Sequence, residues 1–139
     1  EYMNPTCSVK DRPAFLMLQT MIDSGELNNG DTVVTASGGN FAQGIAAAAT
    51  ALGLKVIVTA PADIGEQRAR IIRAYGAEVH LCDGSVSPPT LPGGYQAVAR
   101  ELAEKRNAEE QQHGRKCLYL DQFSDHRNSK SHMDTTGVE

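Results

Sequence analysis

The sequence predicts an α/β fold, a parallel sheet of about four strands with helices on both faces. Two observations carry this. Four short apolar runs, Thr32 to Ala36, Lys55 to Ala60, Ala77 to Cys82 and Cys117 to Leu120, alternate with segments of helical periodicity, the pattern of strands wound by right-handed crossovers. The first run is β-branched and leads straight into Ser37-Gly38-Gly39-Asn40 and an Ala-rich stretch, as buried parallel strands do. At 139 residues the chain has the size of one domain with a fair core.

Taken in order, the chain opens on Asn4-Pro5-Thr6-Cys7-Ser8-Val9-Lys10-Asp11-Arg12. A helix follows from Pro13 to Ile22, with Phe15, Leu18 and Ile22 on one face, Ser8 and Asp11 as candidate caps, and Ser24-Gly25 as the stop. Asn28-Asn29-Gly30-Asp31 is a turn. After the first strand and the Gly-rich turn, the Ala-rich helix runs to Leu52. The second strand ends at Pro61-Ala62-Asp63. Glu66 to Ala74 is a helix with Ala69, Ile72 and the stem of Arg73 toward the core, and Gly76 ends it. Beyond the third strand, Asp83 to Gly94 is a loop rich in Ser, Pro and Gly. Tyr95 to Arg106 is a helix with Val98 and Leu102 on one face, and the charged run Glu101 to Gln112 is a solvated helix end and loop. The chain from Asp121 onward is polar and is expected to be irregular.

Composition narrows the function classes. A net charge of -4 with 40% hydrophobic residues describes a soluble, mildly acidic protein without the basic surplus that nucleic acid or an anionic membrane calls for. The longest apolar stretch, Phe41 to Leu54, is too short and too broken by Gln43, Gly44 and Thr50 to span a bilayer, and no signal peptide is expected. Cys7, Cys82 and Cys117 form no Cys-x-x-Cys pair, and His80, His113, His126 and His132 lack close ligand spacing, so no metal site is expected. Scattered free thiols fit a reducing cytosol.

Two stretches carry chemistry. Lys10 sits near a helix start, where the positive end of the helix dipole disfavours a cation and so favours the neutral amine that forms Schiff bases; on residue type alone a charged surface turn is by far the commoner place for it. Ser37-Gly38-Gly39-Asn40, between a strand and a helix N-terminus, can offer backbone N–H groups to a phosphate or carboxylate. It lacks both the Gly-x-Gly-x-x-Gly and the Gly-Lys-Ser/Thr spacing of nucleotide loops, and could also be a plain turn whose glycines permit close packing.

The lysine stretch resembles the Asn-Pro-Thr-Gly-Ser-Val-Lys-Asp-Arg signature of the cysteine synthase and cystathionine β-synthase family of pyridoxal-phosphate enzymes, fold type II, with Cys7 where the family has Gly. The resemblance implies that Lys10 is the catalytic residue and joins pyridoxal 5'-phosphate covalently. Ser37 to Phe41 resembles the family's Thr-Ser-Gly-Asn-Thr loop, which implies that Ser37, Gly38, Gly39, Asn40 and Phe41 bind the substrate carboxylate, with Asn40 also on the cofactor ring oxygen. Ala36 to Gly44 is closer to the Ala-Ser-x-Gly-Asn-His-Ala-Gln-Gly of threonine and serine dehydratases. Arg73 to Glu78 matches a structural Arg-Ala-Tyr-Gly-Ala-Glu. Asp121-Gln122-Phe123 and His132 to Gly137 resemble Gln-Gln-Phe and His-x-x-Thr-Thr-Gly segments, so Gln122 inherits a carboxylate contact and Asp121 adds a negative charge near it. The loop from Val86 to Pro92 has no match.

The resemblance implies β-replacement on an activated serine, such as O-acetylserine plus sulfide giving cysteine and acetate. Serine or threonine dehydratase-type elimination is the alternative, and a catalytically silent binding module is the alternative of another class. The small domain of the family is implied, divided here into a cofactor-lysine segment (1–30), an α/β domain with the carboxylate loop (31–123) and a connecting segment (124–139). The family's Gly-Thr-Gly-Gly-Thr phosphate loop does not occur in these residues. The chain is therefore expected to be an internal segment of a longer, cytoplasmic, homodimeric enzyme, with a small amino-acid substrate and weak or no activity alone.

Overall fold

The computed structural model describes residues 1–139 and confirms the α/β class. Helix α1 (Asp11–Asp23) is followed by β1 (Thr32–Ala36), α2 (Asn40–Ala51), β2 (Lys55–Pro61), a 3₁₀ turn (Ala62–Ile64), α3 (Glu66–Ala74), β3 (Glu78–Cys82), α4 (Tyr95–Gln111), β4 (Cys117–Leu120) and α5 (His126–Asp134). The strands form one sheet in the order β3-β2-β1-β4, and every pairing is parallel, with Val34 opposite both Ile57 and Tyr119. No helix is long and apolar enough to cross a membrane.

Each face of the sheet has its own core. On one, Val33, Val56, Val58 and Leu120 meet Met17, Leu18 and Met21 of α1, Ile45 and Ala49 of α2, and Ile72 of α3. On the other, Val34, Ala36, Ile57 and Cys117 meet Ala99 and Ala103 of α4. Full burial of a Leu, Ile or Met side chain contributes about 1.5–3 kcal/mol, so the first cluster dominates the stability of the fold. All of β1 is buried, which is why its residues show no polar alternation.

Three expectations are corrected. The face that α1 buries is Ala14, Met17, Leu18 and Met21, whereas Phe15 is exposed and Ile22 only half-buried. Apolar side chains surround this helix, so periodicity alone does not choose a face; α2 chooses it, because Gly44 lets α1 approach so closely that an added Cβ would stand 3.1 Å from the Lys10 carbonyl oxygen. The inward residues of α4 are likewise Ala99 and Ala103, one position beyond the bulkier Val98 and Leu102, and the helix continues through Gln111. The chain beyond Asp121 is not irregular. Asp125 caps α5 by accepting the Arg127 N–H at 2.9 Å, and α5 lies against α1.

The two ends of the chain meet at one side chain. Arg12 pairs with Glu1 at 3.0 Å and, through both guanidinium nitrogens, with Glu139 at 2.7 and 2.9 Å.

Candidate functional site

The chain turns back across β1 once: β2 and β3 are laid down on one side of it and β4 on the other. In open parallel sheets the crevice at the carboxyl ends of the strands beside such a reversal is where ligands bind. The loop after β1 and the loop after β4 both open there. A cleft of about 370 Å³ is lined by Ser8, Val9, Lys10, Ser37, Gly38, Gly39, Asn40, Phe41, Tyr95, Gln122 and Phe123. The structure thus brings together Lys10, Ser37 to Phe41 and Gln122, the residues expected from the sequence to bind cofactor or substrate, while Cys7 and Asp121 lie outside the lining. Tyr95, Phe123, Val9 and Ser8 are additions; Phe123 was adjacent to Gln122 in a quoted motif, but nothing in the residue pattern marked Tyr95.

Lys10 is presented by a folded loop rather than by a capped helix. No side chain caps α1, and Lys10 itself occupies the N-cap position in helical conformation. The two expected caps do other work. Ser8 Oγ accepts the Lys10 N–H at 3.1 Å, and the Asp11 carboxylate accepts the Thr6 N–H at 2.7 Å and the Thr6 hydroxyl. Together with Asn4 Nδ2 donating to the Ser8 carbonyl at 3.0 Å, they close residues 4–11 on themselves. Cys7 takes a φ of 58°, the left-handed region where Gly is at ease. The Lys10 amine forms neither an ion pair nor a hydrogen bond within the chain.

Opposite the lysine, α2 begins at an N-cap glycine, Gly39, with no side-chain cap; the Ala42 N–H donates to the Gly39 carbonyl at 3.1 Å, which leaves the first-turn N–H groups of Asn40 and Phe41 available to an anion. The preceding turn is pinned. Ser37 N–H donates to the Thr59 carbonyl at 3.0 Å, Arg68 donates to the Gly38 carbonyl at 3.2 Å, and Gly38 sits where an added Cβ would come within 2.6 Å of Ile64 Cγ2. Gln122 Nε2 donates to the Ala36 carbonyl at 2.8 Å, which fixes its amide and leaves its second N–H uncommitted.

No carboxylate lines the cleft. Asp121, expected to add negative charge beside the substrate carboxylate, instead accepts from the Phe123 N–H at 3.0 Å, the Ser124 hydroxyl at 2.8 Å and Arg100 at 3.1 Å. Burial alone would raise its carboxyl, but those donors outweigh it and hold it below the usual carboxylate value. The charge is therefore spent on folding the turn that carries Gln122. A free amine, an uncapped helix N-terminus and amide donors, with no competing anion, suit a ligand bearing both a carbonyl group and a negative charge.

A family model described as pyridoxal-phosphate dependent enzyme matches residues 1–139. Among curated relatives, a cysteine synthase of Aquifex aeolicus (strain VF5) is 36% identical over 139 residues, all of this chain and 39% of that protein. The fold resembles the crystal structure of O-ureido-L-serine synthase, with a TM-score of 0.84 and 31% identity over 99% of this chain and 40% of that one. It also resembles a hydrogen sulfide-producing enzyme from Fusobacterium nucleatum, with a TM-score of 0.78 and 29% identity over 97% and 37%. The chain spans about two fifths of the length of the proteins it matches.

Proposed function

Because this chain belongs to the pyridoxal-phosphate-dependent enzymes of fold type II, we propose that it is the lysine-bearing part of a cysteine synthase-like enzyme that replaces the β-substituent of an activated serine. The observation that carries this is the single cleft joining Lys10 to the uncapped start of α2 and to Gln122. The residues present fit the aldehyde end of pyridoxal phosphate, since Lys10 offers an amine with no partner in the chain. When bound, the cofactor withdraws electrons from the substrate Cα and so weakens its C–H bond.

The chain's own groups would then act as follows. The first-turn N–H groups of α2, with the Asn40 side chain and the free N–H of Gln122, bind the substrate carboxylate and fix the Cα orientation. Lys10 Nζ takes the Cα proton and later returns it. Between those events the Cβ–O bond of an O-acyl serine breaks, carboxylate leaves, and a Cβ–S bond forms with hydrosulfide, so that O-acetylserine and HS⁻ become cysteine and acetate. Buried Phe41 and the apolar walls limit water at Cβ, the competitor whose success would give a 2-oxo acid and ammonia instead.

The test is an absorbance spectrum of the complete protein with pyridoxal phosphate. A visible band present in wild type and lost in Lys10→Ala supports the assignment of the lysine, whereas a band that survives the substitution refutes it. Supplying O-acetylserine with sulfide should then yield cysteine; pyruvate in its place would favour dehydratase-type elimination.

A further inference from the structure

Tyr95 brings to the cleft a polar group for which the reading above has no use. It is the first residue of α4, and its backbone is held from two directions. Thr59 Oγ1, fully buried in β2, donates to the Tyr95 carbonyl at 2.6 Å. The Pro89 carbonyl accepts the N–H groups of Gln96 and Ala97 at 3.1 and 3.3 Å, satisfying donors that a helix start leaves open. Gly94 allows that closure, since a Cβ there would lie 2.3 Å from the Pro89 oxygen. The Pro-rich loop, which no motif explained, is thus the clamp that seats the start of α4.

The Tyr95 ring packs against the α4-side core and also lines the cleft, while its hydroxyl makes no hydrogen bond within the chain. Tyr95 is half-buried and its hydroxyl is not sealed in the core, so that group is open to a ligand. The remaining polar groups of the cleft are matched to the amino-acid end of the substrate: Lys10 to Cα, and the α2 start, Asn40 and Gln122 to the carboxylate. What they leave unmet is the β-substituent, the part in which activated serines differ.

We propose that Tyr95 is a specificity-determining residue, its hydroxyl hydrogen-bonding an oxygen of the β-substituent, so that the site favours an acyl ester over a leaving group that accepts hydrogen bonds poorly. This rests on the β-replacement reading of the cleft.

The experiment compares O-acetyl-L-serine with β-chloro-L-alanine, each with sulfide, on the holoenzyme of the complete protein and its Tyr95→Phe variant. Loss of one hydrogen bond should lower kcat/KM for the ester about five- to tenfold and leave the chloride unchanged, and Tyr95→Leu should show the same ester-selective loss. A second readout is equilibrium binding by calorimetry in the Lys10→Ala background, where Tyr95→Phe should weaken O-acetyl-L-serine by a similar factor and leave L-alanine unaltered. Equal losses for both donors, or no loss for either, overturn the role of the hydroxyl. Failure of the wild-type holoenzyme to consume either donor overturns instead the β-replacement reading, and the proposal with it.

Discussion

Replacing Asp11 tests how Lys10 is presented. The Asp11 carboxylate accepts the Thr6 N–H at 2.7 Å as well as the Thr6 hydroxyl, and it stands in the first turn of α1. A hydrogen bond to a charged group contributes about 1.5–3 kcal/mol when buried. Thr6 and Asp11 are each half-buried, which places this pair at the lower end, and a negative charge at a helix start adds about 0.3–1 kcal/mol. Asp11→Ala should therefore open the 4–11 loop by about 2 kcal/mol, a factor of about 30 in its opening equilibrium. Asp11→Asn keeps an acceptor for the Thr6 N–H, and the Thr6 hydroxyl can turn to accept from the amide, so its cost is about 1 kcal/mol. The assay is hydrogen exchange at the Cys7 amide, which is bonded to the Asn4 carbonyl at 2.8 Å. Exchange should quicken about thirtyfold in the alanine variant and about fivefold in the asparagine variant. Unchanged exchange in Asp11→Ala would show that something else closes the loop.

Three further outcomes follow from the geometry. Cys7→Gly removes about 1–2 kcal/mol of left-handed strain and adds about 0.5–1 kcal/mol of chain entropy, so a modest rise in Tm is expected; a fall would mean that the thiol makes a contact worth more than the strain. With a thiol reagent near neutral pH, exposed Cys7 should react first, while Cys117, buried and with its thiol pushed up to about 11 by that burial, should react only on unfolding. Burial raises the Asp125 carboxyl but Arg127 and its backbone N–H lower it further, leaving it depressed. Its contribution to stability is thus full above the unfolded carboxylate value of about 3.9 and is lost as pH falls through the lower folded value. Asp125→Asn should be less stable than wild type at neutral pH, with the gap closing in acid denaturation measured below that value.

Why the fold could be read so directly lies in β1. Thr32 to Ala36 is wholly buried, so its composition reports its environment without ambiguity, and the turn that follows declares the crossover. The inward faces of α1 and α4 were not legible because close packing was decided by small residues, Gly44, Ala99 and Ala103, which carry little hydropathy signal. Helix α5 was hidden for a related reason: only Ser131 of it is buried, so it has no apolar stripe, and its start depends on Asp125. The lysine and the carboxylate loop stood in recognisable strings. Tyr95 did not, because what brings it to the cleft is a clamp between Thr59 and Pro89, contacts 36 and 6 residues distant from it in the chain.

The guanidinium shared by Glu1 and Glu139 has a mechanical consequence. The ion pairs hold residues 1 and 139 against the first turn of α1, two positions along the chain from Lys10. Because these ion pairs are reached by solvent, salt weakens the tie and leaves the strand pairings intact.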